Sequence, residues 1–147
     1  MNFPGKIIFL SVFFSLLMLA DIGAQCNKSW VKKNCIAKIS PFIHNGQINT
    51  TMLQSGEAIE TTLTFYSGQD YRVLICAEES LNNVAFLISD LNGRIIFNSK
   101  EHNNTNSWDF KVKTTTELKI LVTSEKNQVE KGNIRGCVSV LVGFKSK

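Results

Sequence analysis

Only two histidines, His44 and His102, occur in the sequence, and neither lies near a cysteine. Zinc chemistry therefore lacks its usual ligand spacing. There is no Cys-x-x-Cys pair, which removes thioredoxin-like redox work. No Gly-x-Ser-x-Gly elbow, phosphate loop or dinucleotide fingerprint occurs, so hydrolase and nucleotide-binding signatures are missing as well. The 12 acidic residues mostly alternate outward along segments that read as strands, which leaves little for the converging carboxylates of a glycosidase. Basic residues form no block. The net charge of +4 and pI near 8.9 come from scattered lysines, and the nearest cluster, Lys28, Lys32 and Lys33, reads as a solvated face. With no interleaving of aromatic and basic residues, nucleic acid is not an expected partner. Internal repeats, low-complexity tracts and linkers are also lacking. The chain is expected to be no enzyme and to need no cofactor or metal.

One long apolar run is present, at the start. Lys6 precedes Ile7 to Ala20, which is apolar except for Ser11 and Ser15, and Asp21-Ile22-Gly23-Ala24 follows. This is the order of a secretory signal, with cleavage expected between Ala24 and Gln25. As a helix the run would span only ~21 Å, short of the ~30 Å hydrocarbon core. Residues 1–24 are read as a removed leader and residues 25–147 as one domain with no membrane span. A lipid anchor on Cys26 would want a small residue before it, and Gln25 is not small.

The four cysteines, Cys26, Cys35, Cys76 and Cys137, make an even set, which in an exported chain reads as two disulfides with three ways to pair. Cys76 and Cys137 each border an apolar strand pattern, and a bridge between them would clamp the last strand to the core. Cys26–Cys35 then follows by elimination. It carries a difficulty: within one straight helix those residues would be about 13 Å apart and on opposite sides. A non-local bridge avoids that constraint.

Residues 27–39 show helical spacing, with Val31, Cys35 and Ile39 on one face, Asn27 or Ser29 as cap, and Pro41 as stop. From residue 46 the period changes to two. "AIETTLTFY" places Ile59, Thr61, Leu63 and Phe65 on one side and Tyr66 on the other. "YRVLICA" is apolar on both faces and reads as a central strand. "VAFLIS", "RIIFN", "SWDFKV", "ELKILVT" and "GCVSVLVGF" follow. In "SWDFKV" the inward residues are Trp108, Phe110 and Val112. About seven or eight short strands at this rhythm predict an all-β sandwich, jelly-roll-like, behind one short helix. The polar stretches 99–107 and 124–136 are the candidates for mobility.

Asp90-Leu91-Asn92-Gly93 admits two readings. As a calcium loop it matches only the last part of the pattern, because the first ligand position falls on Ile88. As a tight turn, Asn-Gly between apolar runs is a strong hairpin signal in which both residues tolerate positive φ. The turn is the expectation. Glu78 and Glu79 with Asp70 are a candidate carboxylate cluster at one end of the sandwich. His102 near Ser107 and Asp109 is the nearest approach to a catalytic triad. Asn27, Asn49 and Asn103 begin Asn-x-Ser/Thr triplets, expected in exposed loops.

"FYSGQDYRVLICAEE", "VAFLISDLNGRIIFN", "SWDFKV", "ELKILVT" and "GCVSVLVGFK" resemble a family of small, largely uncharacterised exported proteins of Bacteroidetes-type bacteria. Shared features are an early cysteine pair, a Tyr-Arg followed by a cysteine, and a closing Gly-Cys strand ending Gly-Phe-Lys. The strand order and the x-Asp-x-x-Gly-x turn also resemble the jelly rolls of pre-peptidase C-terminal and GOLD-type domains. The resemblance covers most of residues 26–145 and implies a periplasmic or extracellular location in a Gram-negative cell. It carries no catalytic residue. The functional expectation is a secreted or periplasmic non-enzymatic module that binds a glycan or an envelope protein, with Tyr66, His102 and Asn104 as binding candidates. The alternative is a small secreted enzyme, or an inhibitor of one, with its site near His102.

Overall fold

The computed structural model describes residues 26–126 and 133–145. The expected leader and its cleavage point lie outside these residues, as does part of the 124–136 stretch. Helix α1, Lys28–Asn34, begins at Asn27, whose side-chain oxygen accepts from Trp30 N at 3.0 Å. It is shorter than the expected 27–39. The Asn34 side chain donates to the Trp30 carbonyl at 2.8 Å, competing with the ladder, and Cys35 is tethered sideways by a disulfide. The chain then tightens into a 3-10 turn, Ile36–Ile39.

Nine strands follow among the described residues: β1 Ile43–His44, β2 Asn49–Gln54, β3 Ala58–Phe65, β4 Asp70–Ala77, β5 Val84–Asp90, β6 Ile95–Asn98, β7 Ser107–Lys111, β8 Thr116–Ser124 and β9 Arg135–Lys145. The short β1 and the six-residue β2 are additions to the expected set. Both pair antiparallel with the same side of β9, so they act as one broken strand. One sheet runs β1/β2-β9-β4-β7 and the other β3-β8-β5-β6. With β1 and β2 counted together, the order is 1-8-3-6 over 2-7-4-5, the wrapping of a jelly roll. The chain is an all-β sandwich with one helix near its N-terminus.

The main core lies between the sheets. Phe65, Val73, Ile88, Ile120, Val122, Val138 and Val140 are at or near zero exposure. A second apolar layer lies outside the first sheet, where Val31, Cys35, Ile39 and Phe42 of the N-terminal arm cover Leu74, Cys76 and Leu141. This layer explains why β4 and β9 are apolar on both faces: both of their faces are covered.

The disulfide pairing differs from the expectation. Cys26 joins Cys137 and Cys35 joins Cys76. In the β4–β9 register Cys76 faces Ser139, so Cys137 is its diagonal neighbour. Diagonal Cα atoms are about 7–8 Å apart, beyond disulfide reach. Both cysteines point to the outer face, and each meets a cysteine of the overlying arm. The difficulty with a local 26–35 bridge is thereby resolved in favour of two non-local ones. Cys26 also keeps no thiol for a lipid.

The 90–93 segment is a turn. Asp90 N donates to the Arg94 carbonyl and Gly93 N to the Asp90 carbonyl, both at 3.0 Å. Only Gly93 (φ 84°) takes the left-handed region, so the connection is a three-residue loop and not the two-residue form that Asn-Gly suggested. Asp90 spends its carboxylate on the turn, accepting from Asn92 N, Arg94 N and Arg94 Nε.

Candidate functional site

The expected binding residues fall at opposite corners. Tyr66 follows β3 at one open side of the sandwich and is 62% exposed. His102 and Asn104 lie beyond β6 at the other open side, at the opposite end. The 99–107 stretch is built and anchored. Ser99–His102 is a 3-10 turn capped by Asn98, and the fully buried Ser99 accepts from Phe86 N at 2.9 Å. Asn103 and Asn104 both adopt the left-handed conformation. Of the Asn-x-Ser/Thr asparagines, Asn27 and Asn103 are exposed, while Asn49 sits half-buried in β2 and not in a loop.

The triad candidate does not assemble. His102 is exposed and stacks on Phe97, with ring centroids 4.9 Å apart. Asp109 gives both carboxylate oxygens to Arg72, at 2.6 and 2.7 Å. Arg72 also donates to the Ser40 carbonyl at 2.9 Å and lies over the Phe42 ring, 4.6 Å from its centroid. The Asp109 hydrogen bonds hold the Arg72 guanidinium above its ordinary pKa, against an opposing effect of partial burial. This network pins the N-terminal arm to the outer face of the sheet. The candidate carboxylate cluster also comes apart: Asp70 and Glu78 lie at opposite ends of β4, about 27 Å apart along an extended strand. Glu78 instead accepts from Cys137 N at 2.7 Å. Among the described residues no group of three His, Cys, Asp or Glu side chains could hold a metal.

What the structure does bring together is an aromatic row at the open side between edge strands β6 and β7. Phe97 stacks on Trp108 at 5.0 Å and Trp108 on Phe110 at 4.3 Å. Phe110 continues inward to Tyr71 and Phe65. Trp108 and Phe110 are half-buried, and beside them a groove of about 310 Å³ is lined by Ile96, Arg94, Lys111 and Lys113. Arg94 pairs with Asp90, whereas Lys111 and Lys113 make no ion pair among the described residues. Ile95 and Ile96 are 59% and 40% exposed on the same edge. The alternation in "SWDFKV" marked Trp108 and Phe110 as inward. Both do pack against the main core; that they also line a mouth depends on strand order, which no local pattern carries.

No family model and no curated protein matches the chain, so the family resemblance of the sequence and its Bacteroidetes-type origin gain no support. Among solved structures, a similar one is PliG from Aeromonas hydrophila, a periplasmic lysozyme inhibitor of g-type lysozyme. It is 14% identical, covering 71% of this chain and 89% of that chain, with a TM-score of 0.49. A likeness at that level does not say what this chain binds.

Proposed function

We propose that the chain is an exported, non-enzymatic recognition module that holds an extended, acidic segment of a partner polypeptide in the slot between β6 and β7. The observation that carries this reading is the pair of half-buried rings, Trp108 and Phe110, stacked outward from the buried Phe97 between two unpaired strand edges and rimmed by Lys111 and Lys113. Unpaired edges offer backbone hydrogen bonds to an added strand. Partly exposed aromatic rings offer large contact area at small entropic cost. Two lysines without ion-pair partners favour carboxylates. In this reading residues 1–24 are removed on export and residues 25–147 act as one domain in the periplasm or outside the cell, where both disulfides are stable. The triad form of the alternative finds no support here, because Asp109 is committed to Arg72.

A random-peptide phage library tests the proposal. Selection on the oxidised protein should enrich acidic, extended sequences, and the double variant K111E/K113E should lose them. No enrichment, or enrichment of peptides that the double variant still binds, contradicts it.

A further inference from the structure

The other open side of the sandwich holds a cleft of about 460 Å³, within the roughly 300–1,000 Å³ of ordinary small-ligand sites; its floor residues Phe65 and Tyr71 back onto Phe110 of the β6–β7 slot. Its eleven lining residues include no charged side chain, in a chain that is 19% charged. The polar contribution is made of carboxamides and hydroxyls: Asn45, Gln47, Gln69, Thr62, Thr64 and Tyr66. The apolar contribution comes from the half-buried Phe144 and the buried Phe65 and Tyr71.

The frame around it is stiff. The 44–47 bend is held by the His44 ring on the Gln47 carbonyl, by Gln47 N donating to the Asn45 side chain and by Asn45 N donating to the Val142 carbonyl, each at 2.9 Å. Tyr66 N donates to the Tyr71 hydroxyl at 3.0 Å, which fixes where the exposed Tyr66 ring begins. The Gln47 and Gln69 carboxamides make no hydrogen bond among the described residues and are left to serve a ligand. The free edge of β3 adds unpaired backbone groups to the same wall.

We infer that this cleft binds a neutral oligosaccharide, with the Tyr66 ring against the apolar C–H face of one sugar and the Gln47 and Gln69 carboxamides on its hydroxyls. A sugar ring offers apolar C–H faces and an edge of hydroxyls that both donate and accept. Carboxamides match it because each carries two donors and an acceptor. A phosphate, carboxylate or ammonium ligand would meet no opposite charge here.

The test is a ¹⁵N NMR titration of the oxidised protein with maltotetraose, cellotetraose, chitotetraose and mannotetraose, alongside polygalacturonate oligomers. At least one neutral sugar should shift the side-chain amides of Gln47 and Gln69, with an affinity unchanged between low and moderate salt. Y66A should weaken that binding about tenfold and Q69A roughly fivefold. Tyr66 and Gln69 are outside the buried core, so both variants should keep the wild-type spectrum elsewhere. The inference is overturned if no neutral sugar moves these amides, if the acidic oligomers bind and the neutral ones do not, if the cleft instead responds only to peptide, or if Y66A binds like the wild type. The cleft and the β6–β7 slot share no lining residue, so K111E/K113E should leave sugar binding unchanged and Y66A should leave peptide selection unchanged, and either site can fail without the other.

Discussion

Gly143 sits where β9 passes under the N-terminal arm. A Cβ there would lie 2.7 Å from Ile39 Cγ1 and 2.7 Å from Phe42 Cβ. G143A should therefore lift the arm and lower the unfolding free energy by about 1–3 kcal/mol, as overpacking does, read by urea denaturation. Arg72 secures the same arm with two contacts, to the Ser40 carbonyl and to the Phe42 ring, while two Asp109 oxygens of β7 hold its guanidinium in place. R72L should cost about 1–2 kcal/mol, less than a buried pair would, because Asp109 is half exposed. A third residue answers to pH. Glu125 accepts a hydrogen bond from Lys100 at 2.9 Å, which holds its carboxyl below the ordinary value. A carboxyl depressed in the folded state contributes stability above its unfolded pKa and loses it as pH falls through the lower folded one. Side-chain NMR should show Glu125 titrating below the ordinary glutamate value, and K100A should raise it. None of these partners was legible in the residue pattern. "YRV" and "WDF" place Arg72 and Asp109 outward, but only the β4–β7 register sets one opposite the other.

At the scale of elements, the strands that alternate cleanly were readable and the ones that do not were missed. β8 alternates half-buried and buried through most of its length, and β3 buries Phe65 where its alternation places it. In β2 only Leu53 is buried, and its other residues sit on an edge, so "NTTMLQ" shows no period of two. Its conformation is imposed by pairing with Arg135–Val140 far along the chain. Local rules do not see such tertiary overrides. The arm shows the converse. Its apolar face was visible, but the break at Cys35 is enforced by Cys76 across 41 residues of chain. Non-reducing tryptic mapping should recover the Cys26 peptide joined to the Cys137 peptide, and Cys35 joined to Cys76. Recovery of 26–35 or 76–137 peptides would contradict the arrangement. The C35A/C76A double variant should lose about 4 kcal/mol by loop entropy, with the other bridge intact.

For the whole molecule, two-residue periodicity and an even cysteine set were enough to reach a disulfide-clamped sandwich, because burial on one face and oxidation both leave marks in composition. The two mouths of the sandwich were not reachable, since they exist only once eight strand positions are ordered in space. That ordering puts an uncharged polar cleft on one side and a basic-rimmed aromatic slot on the other. Tyr66 was named for its exposure and lines the first; Trp108 and Phe110 were named as inward, pack against the core as expected, and also line the second. The central claim is that the slot between β6 and β7 receives a partner polypeptide. The measurement that addresses it most directly is photocrosslinking in the producing cell, with a benzophenone amino acid placed at Ile96 or Lys111 and, as control, at Glu60 on the outer face of β3. The account predicts a discrete adduct from both slot positions, weakened by K113E and absent from position 60. No adduct from the slot, or the same adducts from all three positions, would contradict it.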